Sequence, residues 1–182
     1  MLGELQKLKL TKLFRLMDSN QNGSVGKDDF DQVFKTNIRD NHLQPGSPEY
    51  ETLRSNFEDQ WNKLREQMDT NGDGLVSLNE WLDYHDLVLS DNRYDEVFHK
   101  QHEGVFDSDD ADGDGKLDVN LFLNKRKTPD MDDQEIAKLQ LLVDPDGDGY
   151  MEKQHLLRLV REFYLSNDPE SPGNWFFGDP NK

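Results

Sequence analysis

The chain has 182 residues, with 21 Lys and Arg against 38 Asp and Glu, a net charge of −17, no Cys and five His. Without Cys there are no disulfides, zinc thiolates or thiol nucleophiles, and five scattered His with no His-x-x-x-His pair do not replace them. The negative charge opposes nucleic-acid phosphate and anionic lipid and makes divalent cations the natural partners. At this length one domain or two small lobes are expected, and an aromatic content of 10% argues for a packed core rather than a disordered acidic chain. No apolar run approaches the ~20 residues of a membrane span, and Met1-Leu2-Gly3-Glu4 reads neither as a secretory nor as a myristoylation signal. The expectation is a cytoplasmic monomer.

In chain order, Leu10, Leu13, Phe14 and Met17 recur at helical spacing and lead into the segment 18–29; Phe30, Val33 and Phe34 follow it as a second apolar stripe. A connector from Ile38 to Glu49 contains Pro45-Gly46-Ser47-Pro48. A helix carrying Trp61, Leu64 and Met68 then enters the segment 69–80, and Trp81, Tyr84 and Val88 leave it. The third segment, 110–121, is flanked less well: Asp109 stands in the apolar slot before it, while Lys125 and Arg126 take later core slots. Its exiting helix is predicted to be short and to stop before Pro129. The fourth segment, 144–155, is followed by Leu156, Leu159, Val160 and Phe163. Such stripes are core before they are ligand pocket.

The four segments share one pattern. Oxygen-bearing side chains alternate from the first position, glycine stands at the sixth (Gly23, Gly74, Gly115, Gly149), and an apolar residue stands at the eighth (Val25, Val76, Leu117, Met151). The thirteenth position is Phe30, Trp81, Phe122 or Leu156. A hard divalent cation takes six to eight oxygens, and a 12-residue loop supplies them from positions 1, 3, 5, 7, 9 and 12 around a sharp bend at position 6. One isolated copy would fit an Asx-rich turn; four copies in register do not. This is the EF-hand loop. The fold predicted is all-α, with four EF-hands in two pairs packed into one compact globule and a short two-stranded β pairing between loops. Pairing follows chain order, with residues 1–90 as one pair, 91–166 as the other and 167–182 as a tail whose aromatics dock on the core.

Position 12 distinguishes the loops, since its Glu normally completes the shell with two oxygens. Loop two has a full set in Asp69, Asn71, Asp73, the Leu75 carbonyl, Ser77 and Glu80. Loop one offers Asp18, Asn20, Asn22, the Ser24 carbonyl and Asp29, with Gly26 leaving room for a water; the shorter Asp29 suits magnesium or weaker calcium. Loop three offers Asp110, Asp112, Asp114, the Lys116 carbonyl and Asp118, but Leu121 has no oxygen to give. Loop four offers Asp144, Asp146, Asp148, the Tyr150 carbonyl and Glu152, with His155 a poor ligand for a hard ion. Two readings stand for loops three and four: metal-free loops kept to pair each other, or weak sites at ~10⁻⁴ M or poorer, because four uncompensated carboxylates in one turn repel.

Four hands, a long first connector and the ending Arg161-Glu-Phe-Tyr-Leu-Ser-Asn-Asp-Pro-Glu-Ser-Pro-Gly-Asn-Trp-Phe-Phe-Gly178 resemble the sarcoplasmic calcium-binding protein family, which includes calexcitin and calerythrin. That resemblance implies a globular four-hand fold and calcium buffering or signalling, with two or three working sites; Leu121 departs from a family in which the third loop often works. Two alternatives remain. One is a calmodulin-like sensor with a protein target, against which the Met-rich groove is missing. The other is a luciferin-binding or photoprotein-like binder using Trp61, Trp81, Tyr84, His85 and Tyr164. No nucleophile–base pair or phosphate loop suggests an enzyme.

Overall fold

Each entering apolar stripe becomes a helix that stops where an acidic loop begins, and each exiting stripe a helix that starts near the loop's end. The computed structural model describes residues 1–126 and 131–182. Its α-helices are α1 (Glu4–Met17), α2 (Lys27–Asp40), α3 (Pro48–Met68), α4 (Leu78–Ser90), α5 (Lys100–Asp109), α6 (Val119–Arg126), α7 (Asp133–Val143) and α8 (Lys153–Leu165). A π-helical turn, Asp95–His99, leads into α5, and a 3₁₀ turn, Pro172–Trp175, follows α8. None of the described helices is long and apolar enough to cross a membrane.

The connector is shorter than the sequence suggests. Helix α2 runs past Ile38 to Asp40, and α3 already starts at Pro48. The reason is local: Ser47 accepts the Tyr50 N–H as an N-cap, Pro48 suits the first helical position, and Gly46, at φ +85°, makes the turn before them.

Four short strands follow the loop glycines. Strands β1 (Ser24–Val25) and β2 (Val76–Ser77) pair antiparallel with Val25 opposite Val76; β3 (Lys116–Asp118) and β4 (Tyr150–Glu152) pair with Leu117 opposite Met151. The position-8 residues therefore meet in the expected partnerships, and Val25, Val76 and Met151 have no exposed surface. Burying an apolar side chain at each crossing stabilises the pair by about 1.5–3 kcal/mol per residue.

The chain divides into two units. Leu13–His85 contains loops one and two, and its core holds Phe14, Trp61, Leu64, Met68 and Trp81, with the Phe14 and Trp81 rings edge to face at 6.0 Å. Met1–Lys12 with Asp86–Lys182 contains loops three and four. Its core includes Leu10, Phe106, Val143, Leu159, Val160 and Phe163. The imperfect third hand is accommodated here. Asp109 pairs with Lys125 at 2.5 Å, and the Arg126 guanidinium lies 4.6–4.9 Å from the ring centres of Phe122, Phe176 and Phe177. Helix α6 is described from Val119 to Arg126; its expected stop before Pro129 lies outside the described residues.

The tail returns to α8. Gly173 packs so closely that a side chain there would strike the Leu159 carbonyl and Glu162. The Gly173 N–H donates to Glu162 Oε2 at 2.9 Å, and Phe176 is fully buried. Lys9, also fully buried, donates to Ser166 O at 2.8 Å, Asn174 Oδ1 at 2.9 Å and Glu162 O at 3.3 Å. Its ammonium thus meets the carbonyls at the end of α8, where a cation complements the helix dipole. Burial pulls the Lys9 pKa down to about 8, with the Glu162 charge opposing the shift.

Candidate metal centres

The four loops share one framework, set by short-range hydrogen bonds. The position-1 Asp accepts the N–H of the position-6 Gly in every loop: Gly23 to Asp18 at 2.8 Å, Gly74 to Asp69 at 3.0 Å, Gly115 to Asp110 at 2.9 Å and Gly149 to Asp144 at 3.1 Å. Those glycines lie at φ between +81° and +88°, a region closed to most side chains. The position-5 side chains of Asn22, Asp73, Asp114 and Asp148 accept the N–H two residues on, at 2.8–2.9 Å. Each loop is thereby wound around its own side-chain oxygens before any ion is considered.

Position 12 separates the two pairs. In loop two, Glu80 Oε1 accepts Thr70 N at 3.0 Å, Thr70 Oγ1 at 3.0 Å and Asn71 N at 3.3 Å, while Oε2 accepts Ser77 N at 2.9 Å and Ser77 Oγ at 2.8 Å. Loop one repeats this with Asp29, which accepts Asn20 N at 3.1 Å, Ser19 Oγ at 3.2 Å and Gly26 N at 2.8 Å. The position-12 carboxylate therefore latches the two ends of the loop together. Both latches are buried, Asp29 at 1% exposure and Glu80 at 9%.

Sequence reasoning overlooked the hydroxyl at position 2. Ser19 and Thr70 each donate to the position-12 carboxylate of their own loop, and the other two loops have Ala111 and Pro145 at that place. The hydroxyl is present where an acid stands at position 12 and absent where it does not. That covariation within one chain was visible in the sequence and marks the latch.

Loops three and four close differently. Leu121 is 65% exposed, and Asp118 instead caps α6 by accepting Asn120 N and Leu121 N at 2.8 and 3.0 Å. His155 is held by Leu142 O, 2.8 Å from Nε2, and by Arg158 Nη2, 2.9 Å from Nδ1. Arg158 can only donate, so Nδ1 is the acceptor and Nε2–H donates to the carbonyl. His155 thus ties its loop to α7 rather than lending an electron pair to the loop centre.

The carboxylates of these loops nevertheless converge. Oxygens of Asp110, Asp112 and Asp114 lie within 4.8 Å of one another, as do those of Asp144, Asp146 and Asp148. Asp144 Oδ1 is buried and has no hydrogen-bond partner. A buried acceptor without a donor beside two further carboxylates fits a cation, so the loop-four residues suit a hard ion better than position 12 alone suggested. At position 7, Ser24, Lys116 and Tyr150 open strands β1, β3 and β4, and Leu75 directly precedes β2. At position 9, Ser77 is engaged with Glu80, and Glu152 is exposed on β4.

Hydrogen bonding also sets the acidity of the loop-two latch. The Ser77 N–H, with the Ser77 and Thr70 hydroxyls and the Asn71 N–H, lowers the Glu80 pKa from 4.5 to about 2, against the opposing effect of burial. A depressed carboxyl pKa adds stability that is complete above the ordinary value and lost as pH falls through the folded one. Urea unfolding of the metal-stripped protein followed at Trp61 and Trp81 should therefore show the Leu13–His85 unit weakening between about pH 4.5 and 2. Glu80→Gln should flatten that part of the profile; an identical profile would remove the latch.

The aromatic set of the small-molecule alternative divides between the units. Trp61, Trp81, Tyr84 and His85 belong to Leu13–His85, with Trp81 and His85 ring centres 4.4 Å apart, whereas Tyr164 stacks on Phe98 at 4.2 Å in the other unit. The His85 ring faces the Trp81 carbonyl at 2.7 Å, and burial lowers its pKa to about 4.

Residues 7–85 match the EF-hand domain pair family. A protein of rice, Oryza sativa subsp. japonica, named CML23 and described as calcium-binding, is 39% identical over 67 residues, or 35% of this chain and 44% of its own length. The sarcoplasmic calcium-binding proteins I, III and IV of the lancelet Branchiostoma lanceolatum are 27% identical over 123 residues, or 65% of this chain and 66% of theirs. The chain thus spans less than two thirds of either relative. The solved structure of an amphioxus sarcoplasmic calcium-binding protein superposes with a TM-score of 0.68 over 98% of both chains at 22% identity, which shows a shared fold. On the family match and the paired loops, residues 7–85 form an EF-hand domain pair, and the chain is similar in sequence to the sarcoplasmic calcium-binding proteins.

Proposed function

We propose that the protein binds calcium, with loop two the tightest site, and serves as a cytoplasmic, monomeric calcium buffer or modest sensor without catalytic activity. The observation that carries this reading is the latched loop geometry: Asp69, Asn71, Asp73 and Glu80 are held by backbone N–H groups of their own loop, so their oxygens are preorganised. A bound calcium ion would supply positive charge at the loop centre and draw the position-12 carboxylate toward it. Loop one repeats the arrangement with a shorter acid, which favours magnesium or weaker calcium there. Loops three and four are weak sites, with Asp144, Asp146 and Asp148 ahead of Asp110, Asp112 and Asp114 because Asp144 Oδ1 lacks a donor. A net charge of −17 raises the rate of cation encounter.

Calorimetric titration with calcium, alone and against magnesium, tests the ranking; absence of calcium binding to the 69–80 loop would remove the reading. An apolar dye with and without calcium separates buffer from sensor, since a sensor exposes apolar surface. Position-12 repair provides a further test. Leu121→Glu should raise affinity in loop three by roughly tenfold or more, because the new carboxylate takes an exposed position and breaks no existing side-chain bond. His155→Glu should gain less, because it must also break the bonds to Leu142 and Arg158. Equal or absent gains by calorimetry would mean that position 12 is not what limits these loops.

A further inference from the structure

Outside the loops, the Leu13–His85 unit has a cavity of about 280 Å³ between α2 and α3, just below the ~300 Å³ at which ligand pockets begin. Its floor is aromatic. Phe30 and Trp61 ring centres lie 5.6 Å apart, and Phe34 lies 5.6 Å from Tyr50 and 5.7 Å from Phe57. Phe30, Phe34, Tyr50 and Phe57 are only partly buried, so their faces remain available from the cavity.

Three cations stand on its rim, and two are already neutralised. Lys27 pairs with Asp31 at 2.5 Å, and Arg54 lies 3.3 Å from Glu58 and 3.5 Å from Glu51. Lys35 has no carboxylate partner among the described residues, although Asp and Glu outnumber Lys and Arg by 38 to 21. It also borders a polar groove lined by Asn20, Asp28, Gln32, Thr36 and Arg39, which gives a charged group at Lys35 access to water; Asp28 there is engaged by the Asn20 amide at 2.7 Å.

We propose that this cavity is a binding site for a small amphiphilic monoanion, an alkyl or aryl carboxylate, whose apolar body lies on the aromatic floor and whose head pairs with Lys35. The volume is too small to hold a partner helix. Apolar burial supplies the affinity, at about 0.8 kcal/mol per methylene, and the single unpaired cation selects the head group. The site is independent of the metal reading: none of Asp18, Asn20, Asn22, Asp29, Asp69, Asn71, Asp73 or Glu80 lines it.

The test is isothermal titration of the full chain with decanoate and, separately, with neutral decanol, both with calcium in excess and with calcium chelated. Decanoate should bind one to one below about 1 mM in at least one condition. Lys35→Glu, an exposed substitution, should weaken decanoate roughly five- to tenfold and leave decanol unchanged. Phe57→Ala should weaken both. Three results would overturn the proposal: no saturable decanoate binding in either condition, equal decanoate affinity in wild type and Lys35→Glu, or self-association abolished by Phe57→Ala without any ligand binding, which would make the groove an interface between copies.

Discussion

Glu80→Gln is expected to weaken calcium binding at loop two by roughly a hundredfold, or about 2.7 kcal/mol. The substitution keeps the side-chain length and removes one unit of negative charge and one oxygen. It also damages the latch. A Gln can accept at one end only, so its NH₂ group must face donors at the other, either Thr70 and Asn71 or Ser77. Opposing buried donors cost about 1–3 kcal/mol, so the metal-free Leu13–His85 unit should lose stability as well as affinity. Calorimetry gives the first number and urea unfolding after metal removal gives the second. An unchanged loop-two titration would remove Glu80 from the site, and a change in affinity without loss of metal-free stability would remove the latch while leaving the ligand.

Phe176→Ala should cost about 3–5 kcal/mol of stability in the unit containing the tail and leave loop-two affinity untouched. Phe176 has no exposed surface, lies 6.1 Å from Phe122 and 5.0 Å from Phe177, and carries the Arg126 guanidinium 4.6 Å from its ring centre. Its removal leaves a cavity and strips one of three aromatic faces from a half-buried cation whose buried Nη1 already lacks an acceptor. Urea or thermal unfolding reads the loss. A cost below about 1 kcal/mol would mean that the tail contributes little to packing despite its burial.

The frameworks of loops one and two were legible because their hydrogen-bonding side chains stand at short, fixed offsets: an acid or amide at positions 1, 3 and 5, and an acid at 12. The apolar residue at position 8 was equally legible, and Val25 does meet Val76. Loop four was less so. His155 reads as a missing ligand, and nothing local announces that its ring is committed to Leu142 and Arg158 or that Asp144 Oδ1 is left without a donor. The third hand shows the same limit. Asp109, Lys125 and Arg126 break the apolar pattern, yet they find an ion pair and an aromatic stack.

From the residues alone follow the loop register, the partnership of loops in chain order and the order of oxygens within each loop, since all three depend on neighbours a few positions away. Only the tertiary structure decides which oxygens are already occupied, and why Lys9 can be buried beneath Ser166 and Asn174, or why Lys35 borders an aromatic cavity rather than open solvent. Those outcomes depend on groups brought together from distant or differently turned helices, where the balance of desolvation against pairing is set by geometry that no local pattern encodes.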